Sequence, residues 1–256
     1  MYNTFQEMLR KEEHVVAIER QCDVFGAQPN LTADMRLMLI DWLCQVSSDY
    51  CLKRETFHRA VLMVDRYFSA CNFVHEVCDF QLIGITCLHI AAKLEEIYPP
   101  YIKSFAESTD NSVTVDDINA TELKICTALK WNFDNTQTYV LWTHWFMQRW
   151  DDYVDNSLSY LKEQFHLKFF EGGRPSFVKY FTMMNFIDLI AMSYEAKQYP
   201  PRVIVASVMY LFIGGKEIMC AFPLEYAQMS QEFEHGLPIN CPGNQTRLPE
   251  GILFYN

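Results

Sequence analysis

A few charged residues in this chain fall on helical faces that should be apolar, and they define the chemistry to be explained. In Asp79–Pro100, DFQLIGITCLHIAAKLEEIYPP, Thr86, His89, Lys93 and Glu96 recur at steps of three, four and three. That spacing draws one narrow polar stripe along an otherwise greasy helix. Glu122 likewise interrupts the stripe Ile118, Ile125 and Leu129. A carboxylate placed there needs a partner or loses its charge, and Lys93 is the candidate cation. Spacing alone leaves two readings open: an internal bridge tying two helices, or a grip on a partner. Arg36 and Asp65 form a second pair on apolar stripes and read as an internal bridge. Breaking one member of such a buried pair costs about 3–5 kcal/mol.

A third constellation is the stripe Met35, Met38, Leu39 and Trp42, joined by Gln45 and by Gln81 from a later helix. Taken by itself, a Met and Trp stripe reads first as core. Signals for catalysis are missing. His75-Glu76 lacks the second histidine of a zinc protease, and Gly214-Gly215-Lys216 lacks the upstream glycine and following hydroxyl of a phosphate loop. The nine cysteines have no C-x-x-C spacing. Those such as Cys44, Cys87 and Cys126 sit at apolar helical positions, as buried thiols do in a reducing compartment. Neither a metal nor any other cofactor is expected.

The elements that must position these residues are helical throughout. With 50% hydrophobic and 15% aromatic residues in 256, the chain can bury a large core. A net charge of −11 argues against nucleic-acid binding, which needs a basic footprint. No uncharged run is long enough to span a membrane, and charges stand where a signal peptide would be apolar, so a soluble intracellular protein is expected. The pattern predicts helices over 4–21, 34–51, 54–69, the stretch beginning at Asp79, 101–108 and 115–129. The first reads as either solvated or partner-contacting. Thr32 and Thr114 are the expected caps of the second and last. A further helical block follows in segments from Thr136, over 176–194 and over 201–212, with 151–175 partly loop. Pro and Gly from residue 236 onward argue for an irregular tail.

The run Ala91–Pro100, AAKLEEIYPP, resembles the centre of the cyclin box, in the wording of E-type and A-type cyclins. MLRKE, MRLMLIDWL, VDRYF and the stretch Met184–Phe212 resemble E-type cyclins too, so the likeness covers roughly residues 5–215. It implies an all-α fold of two tandem cyclin-box-like repeats, the second incomplete or diverged at its C-terminal end. The corresponding organisation is an N-terminal helix and linker over 1–30, a cyclin box over 31–134, a partial second repeat over 135–234 and a tail over 235–256. The implied function is the regulatory subunit of a cyclin-dependent protein kinase at the G1/S transition, not an enzyme itself; ATP and magnesium would bind the kinase. The alternative is a cyclin-fold scaffold that activates no kinase.

The resemblance places Lys93 and Glu122 where the family binds backbone of the kinase, with Leu94, Ile90 and Phe133 as apolar surroundings. Leu94 stands where phenylalanine is usual. Met35, Met38, Leu39, Trp42, Gln45 and Gln81 match the groove that docks Arg-x-Leu segments of substrates and inhibitors, Gln45 replacing a glutamate. Arg36 and Asp65 remain a structural ion pair. Trp142 and Gln148 match part of a centrosome-targeting patch, but Leu141 and His144 depart from it, and core packing is the reading kept. Nuclear location with some cytoplasmic protein is expected, import occurring together with a partner because no basic import cluster is present.

Overall fold

The computed structural model describes residues 2–19, 23–71, 73–133, 138–149, 170–171, 174–175 and 177–213. The tail from residue 235, the end of the second block and most of 151–175 lie outside the described residues. In order, the helices are α1 (Tyr2–Glu19), α2 (Val24–Ala27), α3 (Ala33–Asp49), α4 (Arg54–Ala70), α5 (Asp79–Glu95), α6 (Ile102–Glu107), α7 (Val115–Ala128), α8 (139–149), α9 (Phe177–Met192) and α10 (Pro201–Ile213). A 3-10 turn, Glu195–Gln198, links the last two. Where no strand was expected, Phe170–Glu171 (β1) and Arg174–Pro175 (β2) make a two-residue antiparallel ladder, and the fold is all-α.

Local chemistry starts the first block. The Thr32 hydroxyl accepts from the Met35 amide at 3.2 Å and caps α3. Thr114 and Asp117 cap α7 reciprocally, each side chain accepting from the other's backbone N–H. The core is built on α5, which is buried on nearly all sides between α3, α4 and α7. Gly84 lets it approach α3: a Cβ there would lie 2.8 Å from Leu39 Cδ1, so any larger residue would have to push the Leu39 side chain aside. The helix ends at Glu95, earlier than the prolines require. Glu96 turns its carboxylate to the Lys53 amide, 2.8 Å away, and to the Thr56 hydroxyl, fastening the end of α5 to the start of α4.

The second block has its own core, in which Val140, Trp142, Phe146, Ile187 and Val205 are buried. Phe5 joins it, stacked on Trp145 with centroids 4.8 Å apart. Glu12 is fully buried, accepting from the Arg202 amide at 2.8 Å and pairing with its guanidinium. Between Phe5 and Glu12 the N-terminal helix is therefore packed within the chain, against residues 140 and 190 positions away. The short α2 is too brief for periodicity to find. Asp23 caps it, and Phe25 packs on Tyr194 with centroids 4.6 Å apart.

Charged groups close the seam between the blocks. Arg36 donates to Asp65 through Nε at 2.7 Å and Nη2 at 2.8 Å, while Nη1 donates to the Met192 carbonyl at 2.7 Å. Lys197 Nζ reaches the same carboxylate at 2.9 Å. Burial pushes the Asp65 carboxyl up, but Lys197 and Arg36 outweigh it and hold it below its ordinary range. Nearby, Asp188 on α9 pairs with Arg54 and lies 2.9 Å from His58 Nε2.

Candidate functional site

The open face of the first block lies at the C-terminal end of α5. Lys93 and Glu122 are joined there by an ion pair across α5 and α7, with side chains 39% and 25% exposed. Ile118, Ile125 and Leu129 are buried as the stripe requires, and Glu122 stands at its edge with a quarter of its side chain in solvent. Both charged groups are thus paired in the free chain and still reachable. Of the predicted polar stripe, Thr86 and His89 are buried and only Lys93 is well exposed. Thr86 donates to the Leu82 carbonyl within its own helix, at 2.6 Å.

Arg59 organises this face from below. It pairs with Glu95 at the end of α5 and donates to the Phe133 carbonyl at 2.8 Å, so the segment after α7 is drawn to the α5 terminus. Arg66 donates to the neighbouring Asn132 carbonyl at 3.1 Å. Between these anchors and α7, Lys130 and Trp131 both adopt positive φ, at 54° and 56°. Non-glycine residues rarely take that conformation, and the two arginines help to fix it. Its result is an indole 65% exposed, close in sequence to the half-buried Phe133.

The apolar residues expected around the pair divide accordingly. Leu94 is 47% exposed and available, whereas Ile90 is a core residue and has no surface to offer. Outside its narrow polar stripe α5 is apolar, so its sequence could not say which of Ile90 and Leu94 faced outward. Trp131 was missed. Its signal was a tryptophan beyond the last helical position in a short polar connection. His89 sits beneath the ion pair, its ring packed against Phe105 with centroids 5.0 Å apart. Burial, then the charge of Lys93, holds its pKa down to about 4 against the opposing pull of Glu122.

The docking stripe on α3 is also split. Met38 is 64% exposed, Met35 and Trp42 are half-buried against the core, and Leu39 is buried against Gly84. Leu39 is corrected from groove to core, because the close approach of α5 encloses it. Gln45 is exposed and donates to Asp41 at 2.8 Å, so a carboxylate missed in the sequence stands one turn away on the same face. Gln81 accepts from Ser112 at 3.3 Å. Trp142 is wholly buried and Gln148 exposed, which leaves Trp142 as core. Among the described residues, no group of acidic, histidine and cysteine side chains could hold a metal, and no helix is long and apolar enough to cross a membrane.

Comparison with known proteins gives this geometry a context. Residues 3–134 match the family described as Cyclin, N-terminal domain. Over 229 residues the chain is 33% identical to the G1/S-specific cyclin-E1 of Gallus gallus, covering 90% of this chain and 52% of that protein. The Danio rerio G1/S-specific cyclin-E1 is 34% identical over 212 residues, 83% of this chain and 48% of that one. The chain spans about half the length of these two curated relatives. The X-ray structure of a viral cyclin from herpesvirus saimiri has the same fold, with a TM-score of 0.57 at 18% identity over 83% of this chain and 88% of that one.

Proposed function

The chain belongs to the cyclin family, and from that premise we propose that it is the regulatory subunit of a cyclin-dependent protein kinase acting at the G1/S transition. The observation that carries this reading is the reachable Lys93–Glu122 pair, with exposed Leu94 beside it and exposed Trp131 at the end of α7. A lysine donates and a carboxylate accepts, so together they match the carbonyl and N–H of an extended or helix-capping segment of a partner. Leu94, Trp131 and Phe133 would take its apolar side chains. The surface acts by binding the kinase's active arrangement better than the inactive one, which shifts the population. Phosphoryl transfer, ATP and magnesium belong to the kinase, and no cofactor is proposed for this chain.

The second site is proposed on α3, where Met35, Met38 and Trp42 would receive the leucine of an Arg-x-Leu segment and Gln81 its backbone. Asp41, with Gln45 turned toward it, would meet the arginine. The deciding experiment is co-purification of the chain with candidate kinase catalytic subunits, followed by phosphorylation of histone. Activity is expected only in the complex. A chain that binds no such kinase, or binds without raising its activity, is a scaffold instead. The expected location of the complex is the nucleus, with some cytoplasmic protein.

A further inference from the structure

His89 stands one turn before Lys93 on α5 and is only 6% exposed. Its Nε2 lies 3.7 Å from Glu122 Oε2, while Lys93 Nζ holds Oε1. Its Nδ1 is buried without a hydrogen-bond partner. A neutral imidazole carries one N–H, and the proton belongs on the nitrogen that faces an acceptor, here Nε2. The two oxygens of Glu122 are thus divided between a long, partly exposed cation and a rigid, enclosed donor. At 3.7 Å the donor stands about 0.5 Å beyond an ordinary N–H···O bond, while Lys93 holds the other oxygen.

We propose that His89 is a positioning residue for Glu122, taking the carboxylate through Nε2–H when Lys93 is drawn onto a partner's backbone carbonyl. The inference rests on the reading of Lys93 and Glu122 as partner contacts. When the ammonium leaves Oε1, the carboxylate turns toward His89 and the gap closes to a hydrogen bond. Oε1 is then free for a partner N–H, and Glu122 is never left half-enclosed without a fixed donor. Leaving it so would forfeit part of the binding. Phe105, packed against the imidazole, keeps the donor from following the lysine outward.

The test uses the full chain and a cyclin-dependent kinase catalytic subunit chosen for binding the wild type. His89→Phe keeps a ring of similar size and removes the donor, whereas His89→Gln keeps an N–H near the Nε2 position. Affinity should fall about 3- to 10-fold in the phenylalanine variant and return to within about twofold of wild type in the glutamine variant. The unfolding midpoint of the unbound phenylalanine variant should be unchanged or higher, since the unpartnered Nδ1 goes with the ring. Imidazole nitrogen NMR should find the proton on Nε2 in the free chain, with that proton moving downfield in the complex. Wild-type affinity in His89→Phe, a loss in both variants that tracks lowered midpoints, or a proton on Nδ1 overturns the proposal. Glu122→Ala separates the two layers: if it binds as wild type, the grip reading and the positioning role both fall. If it loses binding while His89→Phe does not, only the positioning role falls.

Discussion

Asp65 is fully enclosed between Arg36 and Lys197 at the seam, whereas Glu122 keeps a quarter of its side chain exposed beside Lys93. The chemistry is alike, a carboxylate against a nitrogen cation, and the surroundings decide the use. At the seam the donors of Arg36 are shared between Asp65 and the Met192 carbonyl, and both cations lie 5.3 Å from the Tyr194 ring centre. Every group there is satisfied within the chain, as burial of charge demands. On the open face the two ions pair with part of each side chain in solvent. Exposed apolar side chains beside a separable pair are what a partner surface requires. The closed pair holds the two blocks together, and the open one is the pair proposed to exchange its partner.

The largest effect should come from opening the closed pair. Asp65→Ala leaves Arg36 and Lys197 facing each other in the interior without their anion, a loss of about 3–5 kcal/mol of stability. Denaturant titration measures it, and kinase binding should fail with the fold. A mild loss, under about 1 kcal/mol, would mean that water reaches the seam and that the contrast with the open face is false.

Next in size is the open pair. Lys93→Ala or Glu122→Ala should weaken kinase binding by about 2–5 kcal/mol, the range for truncating a buried interfacial charge. Stability of the free chain should move by at most about 1 kcal/mol, as for exposed ion pairs. Circular dichroism and denaturation of the unbound variants check the second half. A variant that unfolds makes Lys93–Glu122 a second seam.

These two regions also differ in how far the sequence reveals them. Thr32, Thr114 and the apolar periodicity of α3, α4 and α7 act within a few residues, so the first block was legible. Arg36 and Asp65 announced themselves as charges on apolar stripes. Lys197 did not, because it joins Asp65 from 132 residues away and no local pattern foretells its arrival. Glu12 and Arg202 were hidden for the same reason, which is why α1 reads in sequence as a solvated or partner-contacting helix. At the open face the difficulty was different. Outside its polar stripe the helix α5 is apolar, so periodicity could not separate buried Ile90 from exposed Leu94, and Trp131 owes its exposure to a left-handed backbone that no glycine marked.

A smaller effect divides the docking stripe by burial. Met38→Ala should leave stability unchanged within about 0.5 kcal/mol, since the side chain is largely in solvent. It should raise KM for an Arg-x-Leu substrate without changing kcat, because docking is shared by ground and transition states. Trp42→Ala, packed against the core, should cost stability as well, on the order of 2 kcal/mol or more. Equal behaviour of the two variants would remove the distinction between groove and core on α3.

A last effect is a pH dependence that tells whether the open face rests on a neutral histidine. His89 ordinarily titrates near 6.5 and is held to about 4 here, first by burial and then by Lys93, with Glu122 pulling the other way. Between those values the unfolded chain binds the proton and the folded chain does not, so stability is fully present above pH 6.5 and declines as pH falls toward 4. His75 and His144 are also held low by burial and contribute in the same direction. Asp65 contributes a loss only further down, because its carboxyl lies below the ordinary 3.8. The difference between wild type and His89→Phe isolates the single imidazole. Denaturant midpoints at pH 7 and pH 5 should converge in the variant more than in the wild type, by about the destabilisation that one proton's linkage supplies over that interval. An unchanged slope would mean that His89 takes up its proton in the folded chain. Glu122 would then be held by a cation on each side, and the open pair would be bound within the chain almost as tightly as the closed one.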